Sequence, residues 1–277
     1  MTYKILCDSC TDLTPGLLAD PHVVRIPLTI QVGAETVVDD DTFRQKELLQ
    51  KMRAWPDAPK TACPSPSAYM EEFAEDGDTY IITLSARLSG SHNAASQAVS
   101  LYREEGGRGN VHLFNSRSAS AGQTQIALLI QELAGSGMAF DQVVEQVEAY
   151  ISRMQTMFVL ENLDNLRKNG RLTRTVSLGS GGVGGKLVMG ANRAGEIEKL
   201  GQGLSIRQTL ARMVSRMAED EDHAGRRLVI SYCNCQERAE HVLELVRKRC
   251  QFKEVVLAPT GGIATVYAYD GGIVAAF

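Results

Sequence analysis

Along the first half of the chain the hydrophobic pattern alternates between two periods. Short apolar runs at residues 3–8, 79–84 and 111–115 are each followed by small polar residues, then by apolar positions spaced three and four apart, as on one face of a helix. After the first run, Asp8-Ser-Cys-Thr-Asp-Leu-Thr-Pro15 supplies capping side chains and a first-turn proline, which predicts a helix opening near Pro15. The second and third runs predict helices over 92–102 and 124–133. Residues 141–154 predict another, with Val143, Val144, Val147 and Ile151 on its apolar face. Strands alternating with helices predict a parallel sheet covered on both faces. Residues 27–41 break that rhythm, because L-T-I-Q-V-G-A-E-T-V-V alternates around a Gly-Ala turn and reads as a hairpin.

Beyond residue 155 the composition shifts toward glycine. The pattern predicts a strand at 157–160, a short helix at 163–168, a glycine-rich loop at 178–185 and a hairpin over 186–200 turning at Asn192-Arg-Ala-Gly195. Helices over 204–218 and 237–249 flank a strand at 227–232, with another strand at 255–257. The expected fold class is therefore α/β. Residues 1–155 form an N-terminal domain with a mainly parallel sheet covered by helices, and 156–277 a C-terminal α+β domain.

Charged residues make up 22% of the 277, the net charge is −4, and no dense lysine or arginine run occurs, so no broad field attracts nucleic acid or an anionic membrane. No stretch approaches the roughly 20 apolar residues of a membrane helix, and residues 1–10 run directly into a strand pattern, so a soluble, cytoplasmic chain without membrane insertion is expected. Cys7-Asp-Ser-Cys10 and Cys233-Asn-Cys235 invite a redox or zinc reading. The first lacks the flanks of a thioredoxin motif and the second has poor zinc spacing, so small buried hydrophobes are the preferred role, and no metal or cofactor is expected.

Three polar stretches are candidates for chemistry. Ser89-Gly90-Ser91 stands between an apolar run and a helical pattern, where exposed N–H groups and the positive end of a helix favour a carboxylate or phosphate; simple N-capping by Ser89 or Ser91 is the plainer alternative. Thr61-Ala-Cys-Pro-Ser-Pro-Ser67 reads as a helix start with its caps. Leu166-Arg-Lys-Asn-Gly-Arg-Leu-Thr-Arg174 gathers cations around a helix end at Asn169-Gly170, which a solvated basic cap explains. No G-x-S-x-G elbow surrounds the serines and no pattern pairs them with a histidine. The glycines ending in Lys186 fail the phosphate-loop pattern, because Leu187 follows the lysine.

Taken in order, these segments resemble the DegV family of bacterial fatty-acid-binding proteins. Cys7-Asp-Ser-Cys-Thr-Asp-Leu is similar to the family's D-S-x-x-D-L, Lys60-Thr-Ala-Cys-Pro-Ser to K-T-S-Q-P-S, and Leu88-Ser-Gly-Ser-His-Asn-Ala to L-S-G-T-Y-x-S-A. Phe114-Asn-Ser-Arg-Ser-Ala-Ser-Ala-Gly resembles I-D-S-x-x-x-S-x-G, and Leu166-Arg-Lys-Asn-Gly-Arg171 resembles L-x-K-G-G-R, with Lys186 and Arg207 at a downstream lysine and arginine. The resemblance implies a carrier without catalytic residues that holds a long-chain fatty acid in an apolar tunnel between its two domains and presents the carboxylate to a separate fatty-acid kinase. It implies Thr61 and Ser89 as carboxylate-binding hydroxyls, with Gly90 and Ser91 shaping their loop and Ala62 beside Thr61. Arg171 becomes a partner-facing or head-group residue and Arg207 a further ligand-binding candidate. The final segment, 260–277, is in a position to pack back near the ligand.

The family's closing G-x-x-x-x-x-H-x-G-P-G is altered. Ala268 stands at the histidine, Asp270 at the first glycine and Gly271 at the proline, while Tyr267 and Tyr269 offer hydroxyls nearby. The alternative class is an enzyme or binder for a small polar carboxylated or phosphorylated metabolite, using the same hydroxyl loops with His92 or a tyrosine. A short polar pocket with convergent ionisable groups would favour it.

Overall fold

A computed structural model of the chain describes residues 2–172 and 185–277; the predicted glycine-rich loop, apart from Gly185, lies outside the described residues. The first half contributes β1 (Tyr3–Asp8), α1 (Pro15–Leu18), β2 (Val23–Ile26), β3 (Thr29–Val32), β4 (Glu35–Val38), α2 (Gln45–Ala54), β5 (Lys60–Ala62), α3 (Pro66–Met70), β6 (Asp78–Thr83), α4 (Ser91–Glu104), β7 (Asn110–Asn115), α5 (Ala121–Gly135) and α6 (Phe140–Arg153). The second contributes β8 (Thr156–Val159), α7 (Asp164–Lys168), β9 (Lys186–Ala191), β10 (Ile197–Gly203), α8 (Ile206–Ala218), β11 (Arg227–Tyr232), α9 (Gln236–Arg249), β12 (Glu254–Pro259), α10 (Gly262–Ala268) and β13 (Ile273–Ala276).

The parallel sheet runs β2-β1-β6-β7. Its strands read as continuous apolar runs because both faces are buried. Ile5 and Cys7 of β1 with Tyr80 and Ile82 of β6 face Ile126, Ile130 and Val147 of α5 and α6. Leu6 and Ile81 point the other way, against Tyr69, Ala94, Ala95 and Ala98 of α3 and α4.

The predicted hairpin is present as β3 and β4, and β5 joins its other edge to make a small antiparallel sheet, β4-β3-β5. The stretch read as a helix start is therefore divided. Thr61 pairs with Ile30 inside β5, and the helix opens only at Pro66, after Ser65 accepts the Ala68 N–H at 3.3 Å.

The second large sheet runs β10-β9-β8-β13-β11-β12, antiparallel except between β11 and β12. On one face Leu210, Met213 and Val214 of α8 and Val242 and Val246 of α9 cover Met157, Leu228 and Ile230. On the other, Phe158, Val229 and Val274 meet Ala121 of α5 and Ala268 of α10. Helix α5 thus lies between the two large sheets, which is why even Gln123, Thr124 and Gln125 are buried on it. The Gln125 amide compensates by donating to the Arg227 and Ala276 carbonyls at 2.6 and 2.8 Å.

The final segment packs on the first half of the chain. Helix α10 rests on α2 and β3, and its leading N–H groups donate to carboxylates from the chain's opening: Gly261 to Asp12 at 2.8 Å, Gly262 to Asp39 at 2.7 Å and Ile263 to Asp39 at 2.8 Å. These are the groups that a helix cannot satisfy internally, and they favour negative charge. Glycine at 262 permits the approach, since a Cβ there would stand 2.5 Å from Asp39 Oδ1 and 3.0 Å from Ile30 Cδ1. Gly262→Ala is expected to lower stability by about 1–3 kcal/mol, the usual cost of overpacking. Urea unfolding measures it; an unchanged midpoint would mean that α10 shifts freely.

Candidate functional site

The loops that follow β6 and β7, together with α10, face the second large sheet across a cavity of about 100 Å³. Leu28, Leu84 and Leu88 wall it from the first half of the chain, and Phe158, Ile197 and Val274 from the second. Among the described residues, Arg171 is the one charged side chain on its lining.

Several hydroxyls on the walls are committed to one another. Ser118 Oγ and Thr156 Oγ1 are 2.7 Å apart, and Ser120 donates to Asp12. Ser120 adopts φ 56° and ψ −121°, a region costly for any side chain, so its direction toward Asp12 is held against backbone preference. A different polar group shares the lining with Ser89. Thr61 Oγ1 lies 2.9 Å from the Tyr267 hydroxyl, joining β5 to the last turn of α10. Arg171 Nε donates to the Leu88 carbonyl at 3.1 Å, which draws the guanidinium beside the Ser89 loop. Arg171 reaches that point because α7 ends as predicted at Asn169-Gly170: Gly170 takes φ 70° and the Arg171 N–H donates back to Leu166 at 2.8 Å.

Thr61, Ser89 and Arg171 therefore line one cavity together with Tyr267. The other proposed positions are placed differently. Neither Ser89 nor Ser91 is the N-cap of α4; Gly90 is, with no side-chain cap. Ser89 Oγ accepts the Ser91 N–H at 3.2 Å and lies 3.1 Å from the buried Ser91 hydroxyl, so Ser91 and Gly90 stand outside the lining, within the loop that carries Ser89. Ala62 is exposed and off the cavity, as the alternation of β5 requires when Thr61 faces inward. Arg207 is exposed on the first turn of α8 and does not reach the cavity. Lys186 pairs with Glu161 at 3.0 Å, and His92 faces Thr83 at 3.2 Å rather than the lining.

Three buried carboxylates support this arrangement. Asp8 accepts the Leu84 N–H at 2.7 Å and the Gln123 amide at 2.8 Å, and so positions the chain after β6. Asp12 and Asp39 hold α10. Burial pushes Asp8 and Asp12 up to about 6 even though their hydrogen bonds pull the other way, and it raises Asp39 as well. In the sequence Asp8 and Asp12 read as local caps within the D-S-x-x-D-L motif, and nothing local signals their burial. Burial also pushes the Cys7 and Cys233 thiols up to about 12 and Cys235 to about 11, which keeps them protonated at neutral pH and argues against thiolate chemistry.

The family model described as "Uncharacterised protein, DegV family" matches residues 2–277. The chain belongs to the DegV family. A curated DegV domain-containing protein of Streptococcus gordonii is 32% identical, over 99% of this chain and 98% of its own. The crystal structure of a DegV family protein from Ruminococcus gnavus, refined with vaccenic acid, is 43% identical with a TM-score of 0.93, covering 99% of both chains. The Streptococcus pneumoniae fatty acid kinase B3 protein, loaded with linoleic acid, is 30% identical with a TM-score of 0.91, over 100% of this chain and 99% of that one. The predicted α/β class, with its parallel sheet and mixed C-terminal sheet, agrees with these DegV structures. No helix among the described residues of this DegV chain is long and apolar enough to cross a membrane.

The shifts of Asp8 and Asp12 have a sign. A carboxyl raised from 3.8 to about 6 binds more protons folded than unfolded, so its stability contribution is complete below about pH 4 and lost as pH rises through about 6. Asp12→Asn should therefore gain relative to the parent as pH rises across that window, measured by urea titration at each pH. A difference that does not vary with pH would mean that Asp12 titrates normally.

Proposed function

We propose that this chain binds and sequesters a long-chain fatty acid and performs no chemistry on it. The observation that carries the reading is the Thr61–Tyr267 hydroxyl pair, on the same lining as Ser89, in a cavity otherwise walled mainly by apolar side chains. Burying an acyl chain contributes about 0.8 kcal/mol per CH₂, so the walls supply affinity and the hydroxyls need only orient the head group. Thr61, Ser89 and Tyr267 would donate to the carboxylate, with Tyr267 taking the place left by Ala268. Neutral donors suit a carboxylate that must later react, because an arginine fork would stabilise it as it stands.

The reading extends to residues 1–155 and 156–277 as the two domains enclosing the ligand. Arg171, half-buried on the lining and tied to Leu88, would face a separate fatty-acid kinase that takes the presented carboxylate. The pneumococcal B3 protein, carrying linoleic acid and named for such a kinase, supports that extension. Six unpaired cysteines accord with work in the cytoplasm. The small-metabolite alternative is disfavoured, since no carboxylate or histidine converges on the cavity among the described residues.

Organic extraction of the purified protein followed by mass spectrometry should recover a fatty acid. Ser89→Ala and Tyr267→Phe should each weaken retention of a fluorescent fatty acid by roughly 1–2 kcal/mol, about five- to thirtyfold. Recovery of no lipid together with no uptake of the probe would end this reading; parental affinity in both variants would move the head group elsewhere.

A further inference from the structure

A second concavity, of about 690 Å³, shares Thr156 and Ala191 with the acyl cavity but differs from it in chemistry. Four arginines line it, Arg117, Arg153, Arg193 and Arg216, against one carboxylate, Glu198. All four are exposed, and none forms a salt bridge among the described residues. Residues 173–184 contain no aspartate or glutamate that could serve them. The chain as a whole carries −4, so this concentration of positive charge is local and does not reflect a generally basic surface.

The arginines come from elements that the fold locks together. Arg117 follows β7 with φ 50°, Arg153 closes α6, Arg216 lies in the last turn of α8, and Arg193 sits at the tip of the β9–β10 hairpin. That tip is fastened to the Arg117 loop. The Ser85 hydroxyl donates to the Gly195 carbonyl at 2.8 Å, and a Cβ on Gly195, which has φ 81°, would come within 2.9 Å of Arg117 Cα. The two walls of the groove are thereby held in register without a ligand, which reduces the ordering cost of binding. Guanidinium groups match phosphate oxygens in paired hydrogen bonds, and a concave site of one sign concentrates the field on a small anion. The volume suits a small molecule, whereas a protein partner needs a broad face of about 800 Å².

We propose that this groove binds a soluble phosphate-bearing ligand with at least two phosphate charges. The inference does not depend on what the acyl cavity holds. Inorganic pyrophosphate is the probe, titrated calorimetrically into the full chain at low salt and again at physiological salt. Saturable binding to one site is expected, weakened at least tenfold in Arg193→Gln/Arg216→Gln and unchanged in Arg108→Gln, whose side chain pairs with Asp76 away from the groove. Thermal melts establish that the variants fold. Absence of saturable binding by the parent overturns the proposal, as does equal affinity in the double variant. If vesicles containing phosphatidylglycerol sediment the protein through Arg193 and Arg216 while pyrophosphate does not bind, the groove is a membrane contact and the proposal is likewise wrong.

Discussion

The N-terminus of α10 is the joint on which the site depends. Gly261, Gly262 and Ile263 present N–H groups that no intrahelical carbonyl can accept, and Asp12 and Asp39 satisfy all three from the opposite end of the chain. Both carboxylates are buried, so each bond joins a desolvated charge to an otherwise orphaned donor, and loss of either partner strands the other. Gln45 reinforces the joint by donating to the Thr260 carbonyl at 3.0 Å. With its first turn held, α10 brings Ile263, Ala264 and Ala268 onto the cavity and Tyr267 onto Thr61.

The same device explains how a polar chain end and an apolar cavity coexist. Polar groups on and behind the lining are consumed in pairs: Ser120 with Asp12, Ser118 with Thr156, Gln123 with Asp8. Helix α5 separates the two large sheets while the Gln125 amide satisfies carbonyls at the ends of β11 and β13. What remains toward the cavity is mostly alkyl surface, with the Thr61, Ser89 and Tyr267 hydroxyls and the Arg171 guanidinium on its lining. An amphiphile with one polar end is the ligand class that such a division of surface selects.

Much of the fold was legible because its cause is local. Strand β1 buries both faces and reads as an unbroken apolar run; the β3–β4 hairpin turns at Gly33, whose φ of 62° calls for glycine; α7 ends where Asn169-Gly170 says it should. The site was partly legible. Thr61, Ser89 and Arg171 came from a resemblance in motif order, not from chemistry visible at any one of them. Arg207, which that resemblance supports more weakly, is exposed on α8, since a motif position does not tell which face of a helix meets the cavity.

The sequence by itself determined the alternation of strands and helices, the parallel sheet and the hydroxyl loops, because period, capping residues and turn residues act over a few positions. It could not announce α10. Gly-Ile-Ala-Thr-Val-Tyr-Ala begins with glycine, carries β-branched residues and has no capping side chain of its own, so its local preference for a helix is weak. Only the tertiary structure supplies the caps, from carboxylates more than two hundred residues away in the chain. It also decides that β13 enters the middle of a sheet and that Tyr267 meets Thr61, since contacts between distant segments are set by packing and by the need to satisfy buried polar groups, which no local pattern records.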